Sequence, residues 1–445
     1  MFSADPQTMS PLRSRAWGIG LGTIIMVGVP VMIMSAKTVQ ITLPVLLAGA
    51  CAGAYARNRL DRLIPPLGAA TVALGAISVF AVLSGLWSSD PWASVSSSLT
   101  TAVVLVGSLV LIELMRTEDT RNVLHMAEGL WIGLLVGLLY MIAEAASDQA
   151  IKIWAYNLLG LGPNELEPAR YYTWDNGVLV AVHPDDLTRN IVPAPLLVWP
   201  ALMAVTHLSS GRWRWVIIAL LVLTSAAAVL LATSETAKLA LLAGAIAFAL
   251  ARICAPAARY ALSGAWVLAC LCVVPAVHLA HAADLQNAEW MQLTAQIRIT
   301  IWNEIAGLIP KAPLFGAGAD MTYILHSVMR EAPTAVASWA GTTHIPHPHN
   351  VYLQTWYELG GTGAVLLTAF GLLLLARAGR LPSPLQPFAF ATFATGAVQI
   401  AFSYSMWQIW FTCLLGFAAA MIALGEGPIA RRNLGNSSLA GHQEA

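Results

Sequence analysis

The sequence predicts an all-α polytopic membrane protein with about twelve transmembrane helices, and three observations carry that prediction. The chain is 58% hydrophobic and only 10% charged, with a mean hydropathy of +0.69, a balance that a soluble fold has no use for. Mostly apolar runs of roughly 18 to 24 residues recur along its whole length, enough to cross a hydrocarbon core about 30 Å thick. The basic residues gather in alternate loops, as the positive-inside rule requires.

Taken in order, the predicted spans are 17–35, 39–56, 67–87, 94–115, 122–145, 190–207, 213–233, 236–253, 261–281, 355–376, 384–404 and 407–424. The run at 190–207 carries Pro193, Pro195 and Pro200, and the run at 236–253 opens with Lys238, so these two are the weakest. With the amino terminus inside, the inner loops hold the arginine groups at 13–15, 57–62, 116–121, 212–214, 252–259, 377–380 and 431–432. The longer outer loops keep only Lys37, Lys152, Arg170, Arg189, Lys238, Arg298, Lys311 and Arg330. Both termini are therefore expected in the cytoplasm. The first apolar run continues into further spans with no cleavage pattern after it, so it reads as a helix rather than a signal peptide.

This pattern divides the chain into transmembrane helices 1–5 (1–145), an outer loop (146–189), helices 6–9 (190–281), a large outer loop (282–354), helices 10–12 (355–425) and a cytoplasmic tail (426–445). A net charge of zero offers no basic or acidic field, so a nucleic-acid partner is not expected. Cys51, Cys254, Cys270, Cys272 and Cys413 lie in or beside apolar spans, which argues against a disulfide framework. No P-loop or Rossmann glycine pattern is present, which removes the simplest route to ATP-driven transport.

Polar chemistry collects in the two long outer loops. The second contains an amphipathic stretch, 288–309, closed by Pro310. On a helical wheel Trp290, Leu293, Ile297, Ile301, Ile305 and Leu308 share a face, opposite Gln292, Gln296 and Asn303, which predicts a helix lying against the membrane interface. Arg298 falls at the edge of the apolar sector. There it either snorkels to head groups or meets an anion in a protected site. Arg189 stands just before "NIVPAPLLVWP" and raises the same choice, a helix anchor or half of an arginine clamp on a diphosphate.

"THIPHPHNVYLQTWYELGGTG" places His344, His347 and His349 at the mouth of a hydrophobic helix. A metal site, drawing also on His326 or His183, is one reading, although the spacing fits no zinc motif with a helix register. Structural packing is a second. The third is catalytic and centres on His349. Pro348 biases its neighbour toward an extended conformation, and Asn350 is a good N-cap for the helix that follows. An imidazole at that N-terminus resists protonation, as a neutral general base must, and the same helix end attracts anions.

At these residues the sequence resembles a known family. "HNVYLQTWYELGGTG" is similar to the His-Asn, nine residues, Gly-x-x-Gly signature of bacterial O-antigen ligases and the wider ligase and polymerase superfamily. "RITIWNEIAGLIPKAPLFGAG" resembles the family's Arg-x-x-x-Trp segment leading to a Pro-Leu-Phe-Gly turn, and "TRNIVPAPLLVWP" resembles its Asn/Arg-bearing start of a middle span. One departure stands out: where the family often has an arginine in a Ser-x-Ser-Arg-like segment, "TSETAK" offers Lys238, with Glu235 as its simple ion-pair partner.

The resemblance implies a GT-C-like glycosyltransferase of the bacterial inner membrane with its active site on the periplasmic face and short interfacial helices in its periplasmic loops. The donor would be O-antigen polysaccharide on undecaprenyl diphosphate, and the acceptor lipid A-core. His349 would be the base and Arg189 and Arg298 the diphosphate ligands, with His347, Asn350 and Lys238 in support. No cofactor and no metal are expected, because the first outer loop, "SAKTVQ", lacks the acidic residue that many metal-dependent GT-C enzymes carry there; Asp90, Asp185 and Asp186 are the alternative ligands. An O-antigen polymerase and an O-linked protein oligosaccharyltransferase share the motif. A secondary transporter suits twelve spans, but its ionisable groups belong at the bilayer midplane, whereas here they collect at the outer surface.

Overall fold

The first five helices alternate in direction and are joined by short turns: α1 (Pro11–Met34), α2 (Val39–Ala56), α3 (Ala69–Leu83), α4 (Pro91–Arg116) and α5 (Thr120–Ala146). The structure, a computed structural model, describes residues 11–163, 171–208, 211–323 and 348–429. Helices α1 and α5 pack closest: a Cβ on Gly129 would lie 2.1 Å from the Gly22 carbonyl oxygen. Small residues permit such backbone contact, the usual glue between helices where lipid offers no hydrophobic drive. At one end of the bundle Arg57 closes a bidentate pair on buried Glu118, with Nη2 to Oε2 at 2.7 Å. Burial drives Glu118 toward its neutral form, but the Arg57 hydrogen bonds and charge outweigh it and hold the carboxyl below its ordinary value.

The opposite end is built from the next segment. Helix α6 (Ala150–Leu158) is followed by the two-stranded antiparallel hairpin of β1 (Tyr172–Asp175) and β2 (Val178–Val182). Asn176 and Gly177, at φ 48° and 81°, make its turn. The Asn-Gly pair suits that geometry, since both central residues of the tight hairpin turn need positive φ. Helices α7 (Asp186–Asn190) and α8 (Pro193–Met203) then run into a π turn at Ala204–Leu208. All of α8 is buried. Its three prolines do not disqualify it as a span: Pro193 and Pro195 stand in the first turn, where an N–H would have no intrahelical partner, and Gln399 Nε2 ties the start of the helix by donating to Val192 O at 2.9 Å.

Helices α9 (Arg214–Leu231), α10 (Glu235–Ile253), α11 (Ala255–Leu271), α12 (Val273–Ala282), α13 (Leu293–Leu308), α14 (Val351–Ala378), α15 (Gln386–Phe402) and α16 (Ile409–Ala423) complete the bundle. Among the described residues ten helices are long and apolar enough to cross a membrane, α7, α8 and the π turn counting as one. The α11–α12 pair adds an eleventh, bent by 69°. Helix α15, at 17 residues, corresponds to the eleventh expected span, 384–404. Val103, Leu223 and Ile246 stay exposed on these helices, a fault in water and the normal state of a lipid-facing side chain. This is an all-α multi-pass membrane protein with one small hairpin.

Two expectations about the second loop are corrected. The amphipathic helix begins at Leu293, five residues later than the wheel suggested, because Gln296 Nε2 donates to Ala288 O (2.8 Å) and Met291 O (3.2 Å) and ties the preceding turn outside the helix. Trp290 and Leu293 are consequently exposed, while Ile301, Ile305, Ala306 and Ile309 are buried in a cluster with Val351, Tyr352 and Leu353. One face of α13 is thus protein core as well as amphipathic surface. The expected span at 355–376 is likewise only part of its helix: α14 starts at Val351, where the Asn350 cap places it, and it is not continuous.

Candidate functional site

The break in α14 organises the site. Gly360 sits at φ 63°, ψ −164°, a conformation essentially reserved for glycine. The break frees backbone groups that the 313–318 turn satisfies. Gly361 N donates to Pro313 O (2.8 Å) and Thr362 N to Leu314 O (3.0 Å), while Ala317 N and Gly318 N donate to Tyr357 O and Glu358 O, both at 2.9 Å. Gly316, at φ 72°, allows this approach, since a Cβ there would stand 2.3 Å from the Glu358 carbonyl carbon. The Pro-Leu-Phe-Gly turn and the Gly-x-x-Gly pair are therefore two halves of one clamp.

Glu358, fully buried one residue before Leu359, extends the clamp sideways. Its carboxylate accepts from the Asp320 and Thr322 amides, both at 3.1 Å, from Gln354 Nε2 at 3.0 Å, from Trp407 Nε1 at 2.5 Å and from the Thr322 hydroxyl. Gln354 also donates to Ser405 Oγ at 2.9 Å and accepts from the Met406 amide at 3.2 Å. Such a network fixes the "SYSMWQ" turn between α15 and α16 against the start of α14. That turn was invisible to hydropathy, which left only two residues between the last two spans.

His349 lies where these parts meet. Its Nδ1 is 2.7 Å from the Ser403 carbonyl oxygen. A carbonyl can only accept, so Nδ1 carries the hydrogen and Nε2 carries the lone pair. Burial first, and then the positive charge of Arg298, push the imidazole down to about 4, with the Ser403 bond opposing them. The ring is neutral at pH 7. Asn350 caps α14 as its type suggests, accepting from Leu353 N at 3.0 Å. The extended conformation expected beside Pro348 fails at His349, which has φ 55°. Proline restricts the residue before it, and that position, His347, lies with His344 outside the described residues.

The Arg-x-x-x-Trp segment faces the same point. Four residues apart, Arg298 and Trp302 share a face of α13. Trp302 Nε1 donates to Pro348 O at 2.6 Å, anchoring the residue before His349. Arg298 is half-buried, and burial lowers it from the ordinary arginine value while the Tyr404 phenol pulls the other way. Burial in turn raises Tyr404, and the charges of Arg189 and Arg298 both oppose that rise. Tyr404 thus feels the charge of both arginines. Among the described residues neither arginine is ion-paired with a carboxylate. A half-buried guanidinium without a counter-charge is suited to an incoming anion.

Lys238 is engaged with Glu235 at 2.7 Å in the first turn of α10, the simple ion pair its neighbour suggested. Among the described residues no group of three or more His, Cys, Asp or Glu is placed to hold a metal. From the Ser405–Trp407 turn a largely apolar cavity of about 740 Å³ runs between α3, α4, α14, α15 and α16 to Arg116, Arg377 and Glu426 near the other end of the bundle. The residues that sequence reasoning missed are Ser403, Tyr404 and Glu358. Their signal was a polar, aromatic turn where a minimal loop was expected and one acidic residue inside an apolar span.

These features define a multi-pass membrane protein with a neutral histidine, two arginines that make no ion pair among the described residues, and a separate apolar cavity that reaches the neighbouring Ser405–Trp407 turn. Comparison with known proteins makes the class specific. Residues 196–368 match the family model described as O-antigen ligase, which makes that stretch similar to the O-antigen ligase superfamily. The matched stretch contains Arg298, the 313–318 turn, His349 and the α14 break, and begins just after Arg189. Comparison with curated proteins gives no match.

Proposed function

We propose that the protein is a glycosyltransferase of the inner membrane that ligates O-antigen polysaccharide from undecaprenyl diphosphate to lipid A-core, with its active site on the periplasmic face, both termini in the cytoplasm and a GT-C-like architecture. The observation that carries the reading is His349, held neutral with its lone pair on Nε2 and subject to the Arg298 charge, together with two arginines that pair with no carboxylate among the described residues and whose charges both act on Tyr404. Nε2 removes the proton from the acceptor hydroxyl as its oxygen bonds to the anomeric carbon. The bond from that carbon to the diphosphate breaks, and undecaprenyl diphosphate leaves with the electron pair. Arg189 and Arg298 neutralise the charge that develops on it, so no metal is required. A single displacement inverts the anomeric configuration. The apolar cavity that opens beside the Ser405–Trp407 turn supports a donor with a long hydrocarbon tail.

Purified protein in nanodiscs tests this with undecaprenyl-diphosphate-linked glycan and lipid A-core. Wild type should transfer, and a folded His349→Ala variant should lose on the order of a hundredfold to ten-thousandfold in rate. Retention of configuration in the product would exclude single displacement. Elongation of the lipid-linked glycan without transfer to lipid A-core would make the protein a polymerase, and transfer to a protein Ser or Thr a protein oligosaccharyltransferase. Flux of the lipid-linked glycan without transfer would make it a transporter.

A further inference from the structure

Arg189 has an acidic neighbour that it does not use. Asp186 and Arg189 lie three residues apart on α7, the spacing at which opposite charges on a helix ordinarily pair. Instead the Asp186 carboxylate is taken from the other side. Lys152 of α6 closes a salt bridge on Oδ2, Tyr172 of β1 donates to Oδ1 at 3.1 Å, and Asn190 Nδ2 lies 3.4 Å from Oδ2. Lys152 is 4% exposed and Asp186 13%, so this pair is shielded from the solvent that would weaken it. The charge of Arg189 acts on both Tyr172 and Tyr404, and among the described residues Arg189 makes no ion pair.

We infer that Lys152 is a positioning residue: by neutralising Asp186 it keeps Arg189 from closing onto its own helix and leaves it available to the donor's diphosphate. The inference rests on the proposed function, which gives Arg189 that ligand. It also assigns a purpose to the 150–182 segment, whose helix and hairpin deliver Lys152 and Tyr172 to the two oxygens of one carboxylate. Without Lys152, a poorly solvated Asp186 is left with Arg189 as the cation three residues along its own helix. The clamp then loses one arm without any change in the arginine itself.

The test is a double-mutant cycle on the full-length protein, reading donor KM, kcat and thermal midpoint for Lys152→Met, Arg189→Gln and the combination. Arg189→Gln should raise donor KM about tenfold or more, the scale of one charge-assisted contact. Lys152→Met should raise it by a similar factor with a smaller effect on kcat, and should add nothing in the Arg189→Gln background. A structural staple would instead lower the melting point and multiply its effect in both backgrounds, and that result overturns the inference. Should Lys152→Met fail to fold, Lys152→Met/Asp186→Asn removes both buried charges. It should recover most of the wild-type donor affinity, and a KM as high as that of Arg189→Gln overturns the inference too. An unchanged KM in Arg189→Gln removes the diphosphate reading and the inference together; a raised KM there with no effect of Lys152→Met removes only the inference.

Discussion

The sharpest quantitative expectation concerns acid. His349 is held at about 4, against 6.5 for an ordinary imidazole, by burial first and the Arg298 charge second. At pH 5 such a ring is still about nine-tenths neutral, whereas an unperturbed one is about 3% neutral. Between pH 7.5 and pH 5 the wild-type kcat/KM should therefore fall only slightly, where a solvent-exposed histidine base would lose about thirtyfold. Arg298→Gln removes the second cause and leaves the first, so its acid limb should move upward, toward 6.5 without reaching it. Stability carries the matching sign. Between 6.5 and 4 the unfolded chain binds a proton that the folded chain refuses, so this residue's contribution falls as pH drops through that window and is level above it. The assay is initial-rate transfer at saturating acceptor across pH 4 to 8, with the thermal midpoint followed in parallel. A wild-type acid limb near 6.5, or one that Arg298→Gln leaves in place, would refute the assignment of His349 as a base shielded by burial beside Arg298.

Three other outcomes follow from the same geometry. Gly360→Ala should cost about 1–3 kcal/mol for its φ/ψ alone and more for a Cβ 2.5 Å from the Leu314 carbonyl carbon, while Gly361→Ala, whose nearest contact is 3.4 Å, should be tolerated; thermal melts of both in detergent check the pair. Trp302→Phe keeps the packing but loses the bond to Pro348 O, and should lower stability by about 0.5–1.5 kcal/mol together with a drop in kcat larger than any change in donor KM, measured in the same transfer assay. EDTA should leave the transfer rate unchanged, and loss of activity restored by a divalent cation would move the diphosphate chemistry onto a metal.

Much of the architecture is legible locally. Each of the twelve apolar runs is helical, since length and hydropathy alone decide whether a segment can cross a bilayer with its backbone satisfied. The Asn350 cap and the Lys238–Glu235 pair also follow from residues within three positions of each other. The start of α13 was misjudged because a Gln296 side chain, reaching back to the carbonyls of Ala288 and Met291, outweighed the periodicity of the apolar face. The hairpin had its Asn-Gly turn in plain view. Its role had no local sign, because Tyr172 acts on a carboxylate fourteen residues away.

By itself, then, the sequence determined an all-α membrane protein, the order of its helices, and which loops hold the histidine and the arginines, since these depend on the hydropathy, charge and turn chemistry of neighbouring residues. Only the tertiary structure decided what the polar groups became. The hydrogen on His349 Nδ1 is set by a carbonyl 54 residues away, the charges of Arg189 and Arg298 both act on a tyrosine in a turn that hydropathy compressed to two residues, and Gly360 breaks its helix because the 313–318 turn supplies the hydrogen bonds for the groups that the break sets free. Each is a contact between segments distant in the chain. A proton's position, an imidazole's affinity for it and the charges that reach a tyrosine all depend on what surrounds a side chain in space, and hydropathy and periodicity do not encode those surroundings.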